Sequence, residues 1–136
     1  MNYAFSVLLR AFGVWLLILA LAIANGLLRE EVLRPHLDAP YPQLLSGVLL
    51  IACILLVTYI FAGRLAARST RQFAAIGIFW LLLTLVFEFG FGKLVAGKSW
   101  AELLDAYTFA GGNLWPVVLA VTLLAPPLIG RHVLRK

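Results

Sequence analysis

The sequence predicts an all-α, polytopic membrane protein with four transmembrane helices and one short amphipathic interfacial helix between the third and fourth spans. Of its 136 residues, 63% are hydrophobic and 12% are charged, whereas about 25% of an average soluble domain is charged. The mean hydropathy is +1.00, and the apolar residues are grouped into four runs. These observations together predict a single membrane domain over residues 1–136.

The four apolar runs are long enough to cross a bilayer. A helical run of about 17 to 20 residues covers roughly 26 to 30 Å, the thickness of the hydrocarbon core. Arg10 and Arg29 flank the uncharged part of the first run, and Arg64 and Arg131 follow the second and fourth runs. The third run contains a single charge, Glu88. The spans are therefore predicted at about residues 5–28, 44–63, 73–92 and 114–130.

The stretch at about residues 99–109 predicts a helix that lies in the headgroup region. Four of its residues occur at spacings i, i+3, i+4 and i+7, which places them on one helical face: Trp100, Leu103, Leu104 and Tyr107. Ser99 and Glu102 have the spacing of a capping box at the start of a helix. Trp100, Tyr107 and Trp115 are expected to anchor this side at the membrane interface.

The distribution of basic residues predicts the orientation. With four spans, both termini and the second loop share one side, which carries seven Lys and Arg residues: Arg10, Arg64, Arg68, Arg71, Arg131, Arg135 and Lys136. The other side carries four: Arg29, Arg34, Lys93 and Lys98. Because basic loops stay in the cytoplasm, both termini are expected to be cytoplasmic, in a bacterial-type inner membrane.

The polar residues within or beside the spans predict one candidate site. Glu88 and Asn25 lie at comparable depths, Arg29 lies one helical turn from Asn25, and Asn113 begins the fourth span. We expect these four residues to form a polar cluster in the outer leaflet. In one interpretation, Glu88 and Arg29 form an ion pair that fixes helix register. In the other, Glu88 binds a cation or proton in a water-accessible pocket.

Several other kinds of site are not expected. Cys53 is the only cysteine, and His36 and His132 are far apart in sequence, so we expect no metal site and no cofactor. Residues 92–99 read G-K-L-V-A-G-K-S and match the phosphate-loop pattern. A membrane span precedes them instead of a buried strand, so we expect no nucleotide. The basic residues flank the spans without forming a stripe, so nucleic acid is not expected either.

Two classes of function remain open from the sequence. The first is a non-catalytic accessory or structural membrane subunit, with membrane lipids and either a second copy or another membrane protein as partners. The second is a small oligomeric transporter or channel-like protein that uses Glu88. In size alone the chain resembles the small multidrug transporters. Their membrane carboxylate is in the first helix and Glu88 is in the third, so this resemblance implies no function. Because the intramembrane polarity is confined to one leaflet, and no enzyme constellation accompanies Glu88, we favour the first class.

The predicted orientation can be tested with single cysteines in a Cys53→Ser background. Cysteines at Gln43 and Ser99 should react with a membrane-impermeant maleimide added to intact cells, whereas a cysteine at Ser69 should react only after the membrane is opened. Labelling of Ser69 from outside in intact cells would contradict the assignment made from the basic residues.

Overall fold

The structure, a computed structural model, describes residues 3–38, 41–95, 97–105, 108 and 114–134. It is 90% helical and contains four helices that are long and apolar enough to span a membrane, which confirms the predicted fold class. The helices are α1 (Tyr3–Leu28), α2 (Arg34–His36), α3 (Tyr41–Phe61), α4 (Thr70–Leu94), α5 (Trp100–Asp105) and α6 (Trp115–Leu134). A π-helical segment (Arg29–Leu33) joins α1 to α2, and a 3₁₀ helix (Ala62–Leu65) extends α3.

The four long helices alternate in direction, and α1 packs beside α3 and α4. Arg10 Nη1 donates to the carbonyl oxygen of Arg64 at 3.1 Å, which joins the start of α1 to the end of α3. Trp80 Nε1 donates to the carbonyl oxygen of Ala11 at 2.9 Å, so α4 packs against α1. Because the long helices alternate in direction, α1 and α4 run the same way. We call the end that carries α5 and the α1–α3 connection the α5 end, and the other the opposite end.

Helices α4 and α6 approach each other at two glycines. A Cβ atom at Gly77 would overlap the backbone oxygen of Leu123, and one at Gly130 would overlap the ring of Phe73. Pro127 lies four residues after Leu123 within α6 and has no N–H, so it cannot donate the usual helical hydrogen bond to that oxygen. The carbonyl of Leu123 instead faces the Cα atom of Gly77, where a weak C–H···O contact can form.

The apolar core is concentrated toward the opposite end of the bundle. Helix α3 contributes a stripe at intervals of four residues, which is one helical face: Pro42, Ser46, Leu50, Ile54 and Thr58. Helix α4 contributes Phe73, Ile76, Gly77 and Trp80. Every residue between Trp80 and Gly92 is described, and none of them is buried. The half of α4 nearest the α5 end is therefore only partly buried, with Leu83 and Phe87 packed against the edge of the core.

The predicted capping box starts α5. The backbone N–H of Glu102 donates to Ser99 Oγ, and the backbone N–H of Ser99 donates to a carboxylate oxygen of Glu102, both at 3.2 Å. Leu103 is 3% exposed and packs on Gly92, which holds α5 against the end of α4. Leu104, predicted to share the face of Leu103, is exposed and so is available to lipid. Of the predicted helix at 99–109, residues 106, 107, 109 lie outside the described residues.

The close contact between α4 and α6 predicts an asymmetric response to the same substitution at two positions of α4. Gly77→Ala should lower the free energy of unfolding by about 1–3 kcal/mol, because a rigid backbone oxygen must move. Gly90→Ala should leave it unchanged or raise it, since nothing lies within 4 Å of a Cβ atom there and alanine favours a helix. Reversible unfolding in detergent measures both, and equal losses at the two positions would contradict the contact.

Candidate functional site

A reciprocal pair of hydrogen bonds joins α1 to α3 near the α5 end. Asn25 is 6% exposed and Ser46 is 1% exposed. Asn25 Nδ2 donates to the carbonyl oxygen of Ser46 at 3.1 Å, and the hydroxyl of Ser46 donates to Asn25 Oδ1. A buried amide without partners is costly, so this arrangement both satisfies Asn25 and fixes the register between the two helices.

Four charged residues follow Asn25 in the π-helical segment and α2, and three of them form ion pairs. Glu30 accepts from Arg29 Nε at 3.3 Å and from Arg34 Nε at 2.8 Å. The second contact joins side chains at i and i+4, which lie on one helical face. Arg29 Nη1 also lies 3.5 Å from Ser46 Oγ. One carboxylate therefore holds two guanidinium groups at the α5 end, and Arg29 continues the polar contact of Asn25 and Ser46 toward the surface.

Helices α1, α3, α4 and α6 enclose a cavity of about 630 Å³ at the α5 end. Its deep walls are mainly apolar and include Trp15, Ile18, Leu50, Ile54, Phe87 and Val118. Its mouth is lined by charged residues, which are Arg29, Glu30, Arg34, Lys98, Glu102 and Asp105. From Trp15 to Arg29 the cavity follows α1 for about 21 Å at 1.5 Å per residue. The cavity thus combines an apolar interior with an ionic rim.

Hydrogen bonds of two tryptophans define where the cavity begins. Trp15 Nε1 donates to Thr84 Oγ1 at 3.0 Å, and Thr84 Oγ1 donates to the carbonyl oxygen of Trp80 at 2.8 Å. Together with the bond from Trp80 to Ala11, these contacts hold α1 and α4 side by side. Beyond Thr84, the α4 residues that face α1 line the cavity, and none is buried until Gly92. The cavity occupies the space among α1, α3, α4 and α6 that packing leaves unfilled.

The structure places the predicted site residues in different ways. Asn25, Arg29 and Glu88 all lie in the wall of the one cavity. Asn113 lies outside the described residues. Arg29 lies on the π-helical segment and forms an ion pair with Glu30, and the pair of Arg29 with Glu88 stays a prediction.

The predicted interfacial anchors also differ from one another. The ring of Trp100 is exposed, and Lys93 Nζ lies 4.9 Å from its centroid. This position is typical of a residue at the surface of the bundle. Trp115 is half-buried, packs against the core and lines the cavity, so it contributes to the cavity wall as well as to this end of the bundle. Tyr107 lies outside the described residues.

Sequence reasoning missed three residues that shape the site: Ser46, Trp15 and Thr84. Each lies within an apolar run, where its position alone does not reveal a partner. A polar residue in a span is the signal that could have identified Ser46 as a partner for Asn25, because such residues join helices in membranes. The contacts of Trp15 and Thr84 depend on which helices are neighbours.

Comparisons with protein-family models, with curated proteins and with solved structures find no match to this chain. The interpretation of the cavity therefore depends on its own geometry and charges.

The reciprocal bond between Asn25 and Ser46 predicts energetic coupling between them. Asn25→Ala and Ser46→Ala should each destabilise the bundle, and the double variant should lose less than the sum. The expected coupling is about 0.6 to 1.7 kcal/mol, the range for hydrogen bonds between membrane helices. Thr58→Ala is the control, because Thr58 Oγ1 bonds within its own helix to Ile54. Asn25→Ala with Thr58→Ala should be additive. Unfolding in detergent measures the losses. If the losses in unfolding free energy for Asn25→Ala and Ser46→Ala are additive, the two residues do not link the helices.

Proposed function

We propose that this small integral membrane protein is a non-catalytic accessory subunit of the inner membrane, which acts by binding a ligand in the cavity at its α5 end. The observation that carries the proposal is the cavity itself, with apolar walls and a charged rim. Its volume of about 630 Å³ lies within the roughly 300–1,000 Å³ of small-molecule sites. The exposed residues at its mouth leave the site accessible from that end.

The side chains of the cavity support binding more than catalysis. The two threonine hydroxyls in its walls donate to backbone carbonyls of their own helices, Thr84 to Trp80 and Thr122 to Val118. Neither the histidines nor Cys53 are among the residues that line the described cavity. A nucleophile needs an adjacent base, and the described walls offer carboxylates and cations without such a pair.

The proposed orientation places the cavity on the outer side of the membrane. The end opposite the cavity carries the larger number of basic residues, including Arg64, Arg68, Arg71 and Arg131. Basic loops of this kind stay in the cytoplasm. The α5 end then faces the other side, and a ligand reaches the site from the outer leaflet or from the external solution.

A small transporter that uses Glu88 is the second candidate, because Glu88 lies in the cavity wall. Transport would also require a path through the opposite half of the bundle. That half is closed in the described structure by side chains with little or no exposure, among them Leu65, Ile76 and Trp80. Alternating access would have to separate α4 from α6 at Gly77, where their backbones touch. The closed half of the bundle opposite the cavity therefore favours binding over transport.

Access to the cavity distinguishes the two functions. In a Cys53→Ser background, Ala22→Cys places a thiol in the cavity wall. It should react with a small, water-soluble thiol reagent added to the α5 side of proteoliposomes and not from the opposite side. Ala125→Cys is the matched control, since Ala125 is buried in the core, and it should remain unreactive from either side.

Three outcomes are informative. Reaction of Ala22→Cys from the α5 side alone supports a one-sided binding site. Reaction from both sides would indicate alternating access, which favours the transporter over the one-sided binding site. No reaction from either side, with a control cysteine at Ser99 fully labelled, would contradict an open cavity.

A further inference from the structure

The cavity has an opening toward the surrounding lipid as well as a mouth at the α5 end. Ile23 of α1 and Phe91 of α4 both line the cavity, and they are 52% and 49% exposed. They lie on α1 and α4, two of the four long helices that line the cavity. In a bilayer, large apolar side chains exposed at this depth meet acyl chains. The gap between α1 and α4 is therefore a lateral opening into one leaflet.

The depth and chemistry of the cavity match one leaflet. Its length of about 21 Å along α1 is close to the roughly 20–22 Å of one leaflet with its headgroup region, half of a bilayer of ~40–45 Å. The apolar walls face the depth of the acyl chains. The charged rim faces the depth of the lipid headgroups, where α5 and the π-helical segment lie.

The rim presents a prearranged pair of cations. Glu30 contacts Arg29 and Arg34 through their Nε atoms. The three groups together carry a net charge of +1, within a rim whose three basic and three acidic residues sum to zero. Guanidinium groups recognise phosphate through paired hydrogen bonds, and two groups held by one carboxylate lose less side-chain freedom when they bind.

We infer that the ligand of the cavity is a membrane lipid with a phosphate headgroup. One acyl chain enters between α1 and α4 and lies along Trp15, Ile18 and Phe87, and the phosphate lies at Arg29 and Arg34. This inference rests on the proposed binding function and specifies its ligand. Free phosphate has no acyl chain to contact the apolar walls. A lipid without a phosphate has no group to bind the two guanidiniums.

The test uses the full chain in nanodiscs with a lipid probe that carries a photoreactive diazirine near the end of one acyl chain. The probe with a phosphatidylglycerol headgroup should crosslink to cavity residues of α1 and α4. A diacylglycerol probe with the same chains should crosslink there at least about tenfold more weakly, because it has no phosphate. Inorganic phosphate at millimolar concentration should not displace the phosphatidylglycerol probe, since it has no acyl chain.

Two pairs of variants locate the two parts of the lipid. Ala22→Phe fills the cavity and should abolish crosslinking within it, whereas Ala24→Phe adds the same ring to an exposed position of α1 that does not line the cavity. Arg34→Gln should weaken binding of the phosphatidylglycerol probe at least about tenfold, without changing binding of the diacylglycerol probe. Arg131→Gln removes an exposed cation from the opposite end and should change neither. Circular dichroism and gel filtration confirm that each variant is folded.

The outcomes separate this inference from the function on which it rests. Equal crosslinking of both probes within the cavity would overturn the phosphate-headed ligand and leave a binding cavity. Displacement of the phosphatidylglycerol probe by inorganic phosphate alone would assign the rim to a soluble anion. Crosslinking of both probes only to outward-facing residues such as Leu82 and Val86 would overturn lipid entry, and reaction of Ala22→Cys then shows whether the cavity binds anything else.

Discussion

The contact between the carbonyl of Leu123 and the Cα atom of Gly77 is the constraint on which the rest of the architecture depends. It brings the backbones of α4 and α6 together, and the tryptophan contacts then hold α1 beside the same half of α4. With α4 in close contact with both neighbours toward the opposite end, its turns between Trp80 and Gly92 are only partly buried, and they line the cavity. The close packing at one end and the open cavity at the other thus both follow from the contact between α4 and α6. In a membrane, small residues allow such close packing, and the hydrophobic effect does not drive helix association.

The sequence was sufficient to predict the architecture because lipid imposes strong rules on element length. The predicted spans at 5–28, 44–63 and 73–92 lie within helical runs of the structure, and the fourth, at 114–130, begins one residue before α6. The capping box of Ser99 and Glu102 was also predictable, since it needs only local spacing. The π-helical turn at Arg29 and the close approach of Gly77 were not, because each depends on neighbours that are distant in the sequence.

The candidate site was predicted as a set of residues more successfully than as a set of contacts. Depth along a helix can be calculated from residue number, which is why Asn25, Arg29 and Glu88 were expected at one level and do line one cavity. Rotation about the helix axis decides which side chains touch, and it follows from packing. Asn25 therefore bonds to Ser46, and Arg29 to Glu30, in contacts that depth alone could not reveal. An ionic rim above an apolar interior became visible only when four helices were assembled.

The proline pair of α6 also bears on how the protein is made. Among the four membrane spans, α6 has the lowest mean hydropathy, 1.8 against 2.1 to 2.7 for the others, and it is the one with two prolines inside its helix. Each proline leaves a carbonyl without its helical donor, which is costly in lipid unless a neighbouring helix compensates. For Leu123 that neighbour is α4, which is synthesised first. Stable insertion of α6 is therefore expected to require that α4 is already in the bilayer. Biogenesis of the chain then ends with the same helix contact that shapes its cavity.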